Sequence, residues 1–415
     1  MAVAAACLAA VAVACSAAVP ASASVATAAS AARLQNQLKT ALNGAGKQVG
    51  GLVENASTGA VLFSRNPNVA RPPASVEKLY TTVAALNLLG PDTQFETEVL
   101  GTGKLGRGGV WHGNLYLRGG GDPTFGDGGW NRQYEDGYGP TASQLATQLG
   151  KDGIHRVTGH IFADESLFDS DRGGPATDNL PDTPDYGGEL SALVFDHGMT
   201  TTRMAPAVFA AHELALTLRG IGMKVGAASR TRKTPVGAVD LAHVESPPLS
   251  TLVRLMDVPS DDLIADMLAK QLGARLLGAG TLNAGATEIR QAIGTDYDLH
   301  PVIFDGSGLD RADRTTPTEV VDLLHKVWLT PTGNILYASL PVVGEQGTVQ
   351  AMALHSWAQG HCVAKTGTLN GVTNLAGYCS ARSGQRVAFA LMLDGPANSQ
   401  AVPMLSRAVA AIARY

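Results

Sequence analysis

The sequence predicts an α/β fold in which helices flank a five-stranded antiparallel sheet and a long insertion interrupts the domain. Two strand patterns near the N-terminus and three near the C-terminus would together form that sheet. Helical patterns occur at both ends of the chain, whereas the middle is rich in Gly, Pro and Asp turns. We therefore expect one domain from residues 30–100 and 243–415, and an inserted, mainly β region at 101–242.

Composition supports two or three folded units and excludes several classes of protein. The chain has 415 residues, of which 45% are hydrophobic and 16% charged, so it can bury sizeable cores and is not disordered. The formal net charge is -5 and no dense run of Lys and Arg occurs, so we expect no nucleic-acid partner.

The first 30 residues carry no charged side chain and predict export. An apolar stretch precedes Ala21-Ser22-Ala23, which suits signal-peptidase cleavage, and we assign residues 1–24 to a signal peptide. The segment up to Ala32 would be a loose start of the mature chain. Lipid attachment at Cys15 is the less favoured alternative. Because no later stretch reaches the roughly 18 apolar residues of a membrane span, we expect a cell-envelope protein without a stable transmembrane span.

Each element near the termini has its own sequence signal. Leucines spaced four apart predict a first helix that ends near Gly44, and a second apolar helical face follows Ser75 and ends at Gly90. The dipeptides Asn370-Gly371 and Ser383-Gly384 predict hairpin turns. The expected strands and later helices are Val49–Glu54, Ala60–Ser64, Cys362–Thr368, Val372–Ala381 and Val387–Leu393, with helices at Ala207–Leu218 and Val402–Ile412.

Cys362 and Cys379 lie on either side of the Asn370-Gly371 turn. In a two-residue hairpin centred there, the numbers of paired residues sum to 741, so the two cysteines face each other. A cross-strand disulfide is then geometrically allowed in an oxidising compartment. Two reduced thiols on neighbouring strands are the alternative.

Three short motifs contain side chains suited to acyl transfer. They are Ser75–Lys78, with the pattern S-x-x-K, then Ser260-Asp261-Asp262, and Lys365–Thr368, which begins K-T-G. The three-residue spacing places Lys78 on the same helical face as Ser75. A serine becomes a good nucleophile when a base removes its proton, and a lysine can do this if burial or a second cation such as Lys365 lowers its pKa.

Each motif also has an ordinary structural explanation. Ser75 would cap a helix with Lys78 in solvent, and Ser260–Asp262 is a common helix start. The segment Thr366–Thr368 is compatible with any strand. The combination of the three motifs in this order favours a catalytic site.

Six separated segments resemble one known family. They are Pro73–Thr81, Gly120–Pro123, Asp164–Asp169, Ser246–Leu249, Asp305–Leu309 and Lys365–Thr368. In this order they resemble the class C low-molecular-mass penicillin-binding proteins, which are D-alanyl-D-alanine carboxypeptidases and endopeptidases of the S13 peptidase family. The resemblance covers nearly all of the chain after the leader. It implies the penicillin-binding/serine β-lactamase-like transpeptidase fold.

The resemblance also implies a role for each motif. Ser75 would be the nucleophile that becomes acylated, and Lys78 would be its general base. Ser260 would pass a proton to the leaving amine. Lys365 would set the electrostatics of the catalytic site.

The remaining motif residues would contact the substrate. Thr366 or Thr368 would bind its terminal carboxylate together with Lys365, with Gly367 between them, and the backbone N–H groups of the nucleophile and Thr368 would form the oxyanion hole. The substrates would be peptidoglycan stem peptides, and β-lactams would acylate the same serine. Neither a metal nor an organic cofactor would be required.

Asp262 departs from the family pattern, which has Asn at this position. An amide donates and accepts hydrogen bonds, whereas a carboxylate only accepts. An ion pair of Asp262 with Lys78 or Lys365 would raise the pKa of that lysine and weaken it as a base. We therefore expect a slower or differently tuned enzyme. A catalytically weak protein that binds peptidoglycan or an envelope partner through the same cleft is the alternative.

A serine β-lactamase is a rival class of enzyme, because it shares the nucleophile, the lysine and the K-T-G motif, but it does not account for the long insertion. Arg311 is a further candidate for binding peptide carboxylates, although a surface salt bridge is the favoured explanation for it.

Overall fold

The computed structural model describes residues 21–199 and 203–415, with side chains from residue 29 onwards. The predicted signal peptide therefore lies outside these residues except for 21–24, and so does Cys15. The strands are β1 (Val49–Asn55), β2 (Val61–Arg65), β3 (Glu96–Leu105), β4 (Val110–Gly119), β5 (Arg156–Val157), β6 (Ile161–Asp164), β7 (Ala228–Thr231), β8 (Val239–Glu245), β9 (Cys362–Leu369), β10 (Val372–Ser380) and β11 (Arg386–Asp394).

The α-helices lie at both ends of the chain and between the strands. They are α1 (Ala21–Ala41), α2 (Lys78–Leu89), α3 (Gly128–Tyr134), α4 (Ala142–Lys151), α5 (Thr183–Tyr186), α6 (Pro206–Gly220), α7 (Leu249–Asp257), α8 (Asp262–Leu276), α9 (Leu282–Tyr297), α10 (Pro317–Val327), α11 (Pro331–Ser339) and α12 (Asn398–Arg414). Within the described part of the chain, none of them is long and apolar enough to cross a membrane.

Strands from the two ends of the chain form one antiparallel sheet in the order β2-β1-β11-β10-β9. β1 pairs with β11, so that Val53 lies opposite Phe389 and the N-terminal strands join the C-terminal ones. β9 and β10 form the predicted hairpin, in which Cys362 lies opposite Cys379 and is joined to it by a disulfide. The predicted five-stranded sheet and the cross-strand disulfide are thus confirmed.

Helices cover both faces of this sheet, and β11 shows why. Val387, Phe389 and Leu391 belong to one buried core, whereas Ala388 and Ala390 belong to another, because successive side chains of a strand point to opposite faces. The first core is completed by apolar residues of α1 and α12, and the second by those of α2, α8 and α10. The helix α2, which begins at Lys78, is therefore packed against the face of the sheet to which Ala388 and Ala390 point.

The first helix starts earlier than the sequence pattern indicates. Leu34, Leu38 and Leu42 are buried as expected, but α1 begins at Ala21, so the segment predicted to be loose is helical. The Ala-rich composition of that segment explains the difference, since Ala has the strongest intrinsic helix preference.

A second, mixed sheet has the order β7-β6-β4-β3-β8, and β5 pairs with β4. In chain order its first strand, β3, begins at Glu96 and its last, β8, ends at Glu245, slightly beyond the expected limits of 101 and 242. β4 pairs in parallel with β6, which in turn pairs in parallel with β7. Apolar residues of α4 and α6 pack against the sheet. α6 confirms the helix expected at Ala207–Leu218, whereas α4 is helix that the turn-rich sequence did not predict. We propose that this sheet and its helices form the inserted region.

Candidate active site

A strained turn presents Ser75 at the start of α2. Ser75 lies in a short 3-10 helix, Ala74–Glu77, that continues directly into α2. Ala74 has a left-handed φ of 47°, a conformation that a non-glycine residue adopts only when its surroundings hold it there. The side-chain amide of Asn374 on β10 donates to the carbonyl oxygens of Pro72 and Pro73, at 2.9 and 2.7 Å. These two hydrogen bonds fix the turn against the sheet.

Gly367 allows the edge strand β9 to approach the same turn. A Cβ atom at this position would lie 2.4 Å from the carbonyl oxygen of Pro73 and 3.0 Å from the backbone nitrogen of Val76. Both atoms belong to rigid backbone, so a side chain at residue 367 would push β9 away from Ser75. The glycine of the K-T-G motif therefore sets the distance between strand and nucleophile.

Lys78 is completely buried and its ammonium group is fully bonded. Nζ donates to Ser75 Oγ at 3.1 Å and to the carbonyl oxygen of Ser307 at 2.8 Å, and it forms an ion pair with Asp262. Three acceptors match the three protons that an ammonium carries. This geometry favours the charged form of Lys78.

The electrostatics of Lys78 agree with that geometry. Burial lowers the pKa of Lys78, but the negative charge and hydrogen bond of Asp262, with further attraction from Asp266 and Asp305, outweigh burial, so the pKa is raised. The expected effect of Asp262 on the basicity of Lys78 is therefore present in the structure.

Lys365 lies on β9 and is also completely buried. Its Nζ donates to Ser260 Oγ at 2.6 Å and to the carbonyl oxygen of Thr366 at 3.1 Å. Burial and the nearby charge of Lys78 lower the pKa of Lys365 to about 7, against the opposing attraction of Asp257 and Asp262. The Lys365 amine can thus gain or lose a proton near neutral pH.

The motif residues meet at one cavity of about 350 Å³. Ser75, Ser260, Asp262, Thr366 and Thr368 line it, and both buried lysines touch its serines. The structure therefore brings together all the residues that the motifs singled out. Within residues 21–199 and 203–415, no group of three or more His, Cys, Asp or Glu side chains is arranged to hold a metal ion.

A larger cavity of about 850 Å³ opens from Ser75 in another direction. Arg311 lines it, with Asp182 and Asp185 among the other lining residues. The guanidinium of Arg311 donates to the carbonyl oxygen of Asn370 at 2.8 Å, so it bonds backbone and not the carboxylate of a surface salt bridge.

Three buried carboxyl groups lie near Lys78, and the sequence motifs singled out only one of them, Asp305. Asp257, Asp266 and Asp305 are completely buried, and burial raises the pKa of Asp266 to about 8 and that of Asp257 to about 6. Asp305 accepts hydrogen bonds from the backbone N–H groups of Ser307 and Gly308. Asp305 thereby shapes the loop whose carbonyl oxygen holds Lys78, which gives the Asp305–Leu309 motif a structural purpose.

Two other residues contribute to the site, and only one of them has a signal in the sequence. Asn374 lies opposite Gly367 in the β9–β10 hairpin, and the turn at Asn370-Gly371 was sufficient to place it there. Thr348, whose hydroxyl bonds that of Thr366 at 2.7 Å, comes from the short 3-10 helix Gly347–Val349 and had no sequence signal.

Comparison with known proteins identifies the family. Residues 30–208 and 188–414 match the D-Ala-D-Ala carboxypeptidase 3 (S13) family. A D-alanyl-D-alanine carboxypeptidase of Actinomadura sp. is 30% identical, over 86% of this chain and 79% of its own length.

Solved structures show the same fold. Penicillin binding protein 4 of Haemophilus influenzae has a TM-score of 0.72 and 21% identity, over 92% of this chain and 99% of its own. The same protein complexed with a β-lactam gives a TM-score of 0.69 and 23% identity, over 90% and 97% of the two chains. With its motifs gathered at one cavity and its family match extending from residue 30 to 414, the chain belongs to the D-Ala-D-Ala carboxypeptidase (S13) family.

Proposed function

We propose that this protein is a serine DD-peptidase that cleaves D-alanyl-D-alanine termini or cross-bridges of peptidoglycan stem peptides through an acyl-enzyme on Ser75. The observation that carries the proposal is the meeting of Ser75, Lys78, Ser260 and Lys365 at one cavity. β-Lactams would acylate the same serine, and the β-lactam complex of the structural relative supports this.

Acylation would begin with attack of Ser75 Oγ on the scissile carbonyl carbon. Lys78, 3.1 Å away, would accept the hydroxyl proton as the neutral amine. When the C–N bond breaks, Ser260 would donate a proton to the leaving amine and recover one from Lys365, whose Nζ is 2.6 Å away. Water would then attack the ester carbonyl carbon and give one proton, through Ser260, to neutral Lys365. As the ester C–O bond breaks, the Ser75 oxygen would recover its proton from Lys78.

Substrate binding would use the strand that Gly367 keeps close to the nucleophile. Lys365 with Thr366 or Thr368 would bind the terminal carboxylate of the peptide. The backbone N–H groups of Ser75 and Thr368 would stabilise the oxyanion of the tetrahedral intermediate. Asp262 lines the same cavity and would repel a substrate carbonyl oxygen, since a carboxylate cannot donate a hydrogen bond.

A catalytically weak binding protein is the second candidate, and one observation favours it. The ion pair between Asp262 and Lys78 stabilises the charged lysine, which cannot accept a proton from Ser75. Such a protein would bind peptidoglycan or an envelope partner in the cleft without efficient turnover.

We also propose export to the cell envelope. The uncharged leader sequence and the disulfide between Cys362 and Cys379 support an oxidising compartment. Lipid attachment at Cys15 remains the less favoured alternative.

The proposal is tested by following a fluorescent penicillin on a gel and by intact mass, with a D-Ala-D-Ala peptide assay beside it. Wild type should gain one covalent adduct and release D-Ala. Ser75→Ala should do neither, whereas Ser57→Ala, which changes an exposed serine of the β1–β2 turn, should behave as wild type. Labelling without peptide turnover would favour the binding protein, and labelling of Ser75→Ala would refute the assignment of the nucleophile.

A further inference from the structure

A histidine from the second-sheet region reaches the catalytic loop. His197 Nε2 lies 2.7 Å from Asp261 Oδ2, and the two side chains are only 10% and 18% exposed. Asp261 is the residue between Ser260 and Asp262. The middle residue of the second catalytic motif is therefore bonded to a residue 64 positions earlier in the chain.

The segment just before His197 packs against the core of the five-stranded sheet and against the core of the second sheet. Val194 belongs to the core beneath the five-stranded sheet, whereas Leu193 and Phe195 belong to the core of the second sheet. Side chains packed on both sides fix this segment, so the position of His197 is determined by both cores.

A second hydrogen bond links Asp261 to the start of α8. Its Oδ1 accepts the backbone N–H of Ile264 at 2.7 Å and so caps α8. Ser260 precedes it with a left-handed φ of 68°, a conformation that a serine keeps only under constraint. The hydroxyl of Ser260 meets Lys365 at 2.6 Å in this conformation. Asp261, tied on one oxygen to α8 and on the other to His197, is well placed to supply that constraint.

Charges around the pair reinforce it. Burial lowers the pKa of His197, but Asp261 and Glu135 oppose this more strongly and raise the pKa to about 9. The pKa of Asp261 is lowered, because attraction from His197 and Lys78 together with hydrogen bonds from His197 and Ile264 outweighs burial. At neutral pH the contact is thus a buried, charged hydrogen bond, which is stronger than a neutral one.

We propose that His197 is a positioning residue for the peptidase reaction: through Asp261 it holds the Ser260 hydroxyl against Lys365, so the second-sheet region takes part in protonating the leaving amine. This rests on the proposed function, in which Ser260 delivers that proton. Removal of His197 would leave a buried carboxylate without its partner, and Asp261 would be free to turn toward Lys78. The Ser260 loop would then lose its constraint.

The test uses two substrates that differ only in the leaving group. One is a D-Ala-D-Ala peptide, and the other has a thiolester in place of the scissile amide. A leaving amine must be protonated, whereas a thiolate leaves without a proton, so a defect in proton delivery slows the amide alone. We expect His197→Ala to reduce kcat/KM for the amide about 10-fold and for the thiolester less than about 2-fold.

Three further variants make the result specific. Ser260→Ala should show the same amide-selective loss, to a larger degree. His243→Ala removes the other close histidine–aspartate pair of the second-sheet region, an exposed contact with Asp240, and should leave both substrates unchanged. His197→Gln keeps an N–H donor without the charge and should give a smaller amide-selective loss. It also carries the test if His197→Ala does not fold.

Each outcome decides the matter. An amide-selective loss in the His197 variants supports the proposal. Equal loss on both substrates, or no loss on either, overturns it. Failure of wild type to cleave either substrate would instead refute the proposed peptidase function, and amide selectivity absent from Ser260→Ala alone would refute the role of Ser260.

Discussion

Two buried lysines bond the serines of the catalytic cavity, and the charges around them shift their pKa values in opposite directions. Lys78 is bonded to a carboxylate, a hydroxyl and a carbonyl oxygen, and its pKa is raised. Lys365 meets a hydroxyl and one carbonyl oxygen, and its pKa is lowered to about 7. Both side chains are completely buried, so burial by itself cannot account for the difference.

The comparison teaches that the nearest charges determine which lysine keeps its proton. Asp262 bonds Lys78 directly and offsets its burial, whereas Lys365 is repelled by the charge on Lys78. The two amines are thus poised for different tasks. The raised pKa of Lys78 lowers the share of its neutral, basic form at neutral pH. Lys365 can exchange protons with Ser260 near neutral pH.

The largest expected effect comes from removal of the Lys78 amine. Lys78→Met should lower the rate constant of penicillin acylation by about 1,000-fold, because Ser75 loses its proton acceptor. Stopped-flow or gel-based labelling measures this. Lys270→Met is a matched control, since Lys270 is equally buried and ion-paired with Asp169, but its ammonium group bonds the carbonyl oxygen of Asp171 and not Ser75. An equal loss in both variants would mean that Lys78 is needed for folding and not for chemistry.

Removal of the Lys365 amine should have the next largest effect. Lys365→Met should reduce kcat/KM for the D-Ala-D-Ala peptide by about 100-fold, because both the carboxylate contact and the proton source for Ser260 are lost. In wild type, binding of the peptide carboxylate should weaken as pH rises through about 7, where Lys365 loses its charge. A pH-independent KM between pH 6 and 8 would contradict the lowered pKa.

A smaller effect on acylation is expected from a substitution at Gly367, the residue that lets β9 lie close to the Ser75 turn. Gly367→Ala should slow acylation about 10-fold while the free energy of unfolding falls by about 1–3 kcal/mol, because the new Cβ moves β9 away from the Ser75 turn. Denaturant unfolding and penicillin labelling measure the two quantities. Gly150→Ala, in α4 at a position where a Cβ meets no neighbour within 4 Å and the backbone is helical, is a control for added side-chain bulk. Wild-type acylation in Gly367→Ala would show that the close approach is not needed.

The smallest effect on acylation is expected for the disulfide. The paired change Cys362→Ala and Cys379→Ala should lower the free energy of unfolding by about 3 kcal/mol, since the bridge closes a 17-residue separation. Acylation should change less than about 3-fold, because the β9–β10 hydrogen bonds still hold Lys365. A loss of acylation as large as in Lys365→Met would show that the disulfide itself positions the lysine.

Local rules predicted much of this arrangement. The Asn370-Gly371 turn fixed the register of β9 and β10, which placed Cys362 opposite Cys379. The S-x-x-K spacing placed Lys78 one helical turn from Ser75, where it is found. These features depend on residues that are near one another in the sequence, so turn type and helical periodicity suffice.

Contacts between distant segments could not be predicted in this way. The carbonyl oxygen of Ser307 and the ring of His197 meet the site from loops that carry no periodic pattern. α4 was also missed, although its capping box at Thr141 and Gln144 is a recognisable signal, because it lies in a turn-rich stretch. Long-range packing decides such contacts, and a single sequence does not encode it locally.

The central claim is that Asp262 raises the pKa of Lys78 and so weakens it as a base. The pH dependence of penicillin acylation in Asp262→Asn tests this claim most directly. Without the carboxylate the pKa of Lys78 should fall, so the rise of the rate with pH should move to lower pH. For every tenfold increase in the acid dissociation constant of Lys78, the rate at pH 7 should increase about 10-fold. Asp240→Asn, an exposed change, should leave the profile as in wild type. An unchanged or lower acylation rate in Asp262→Asn would contradict the account.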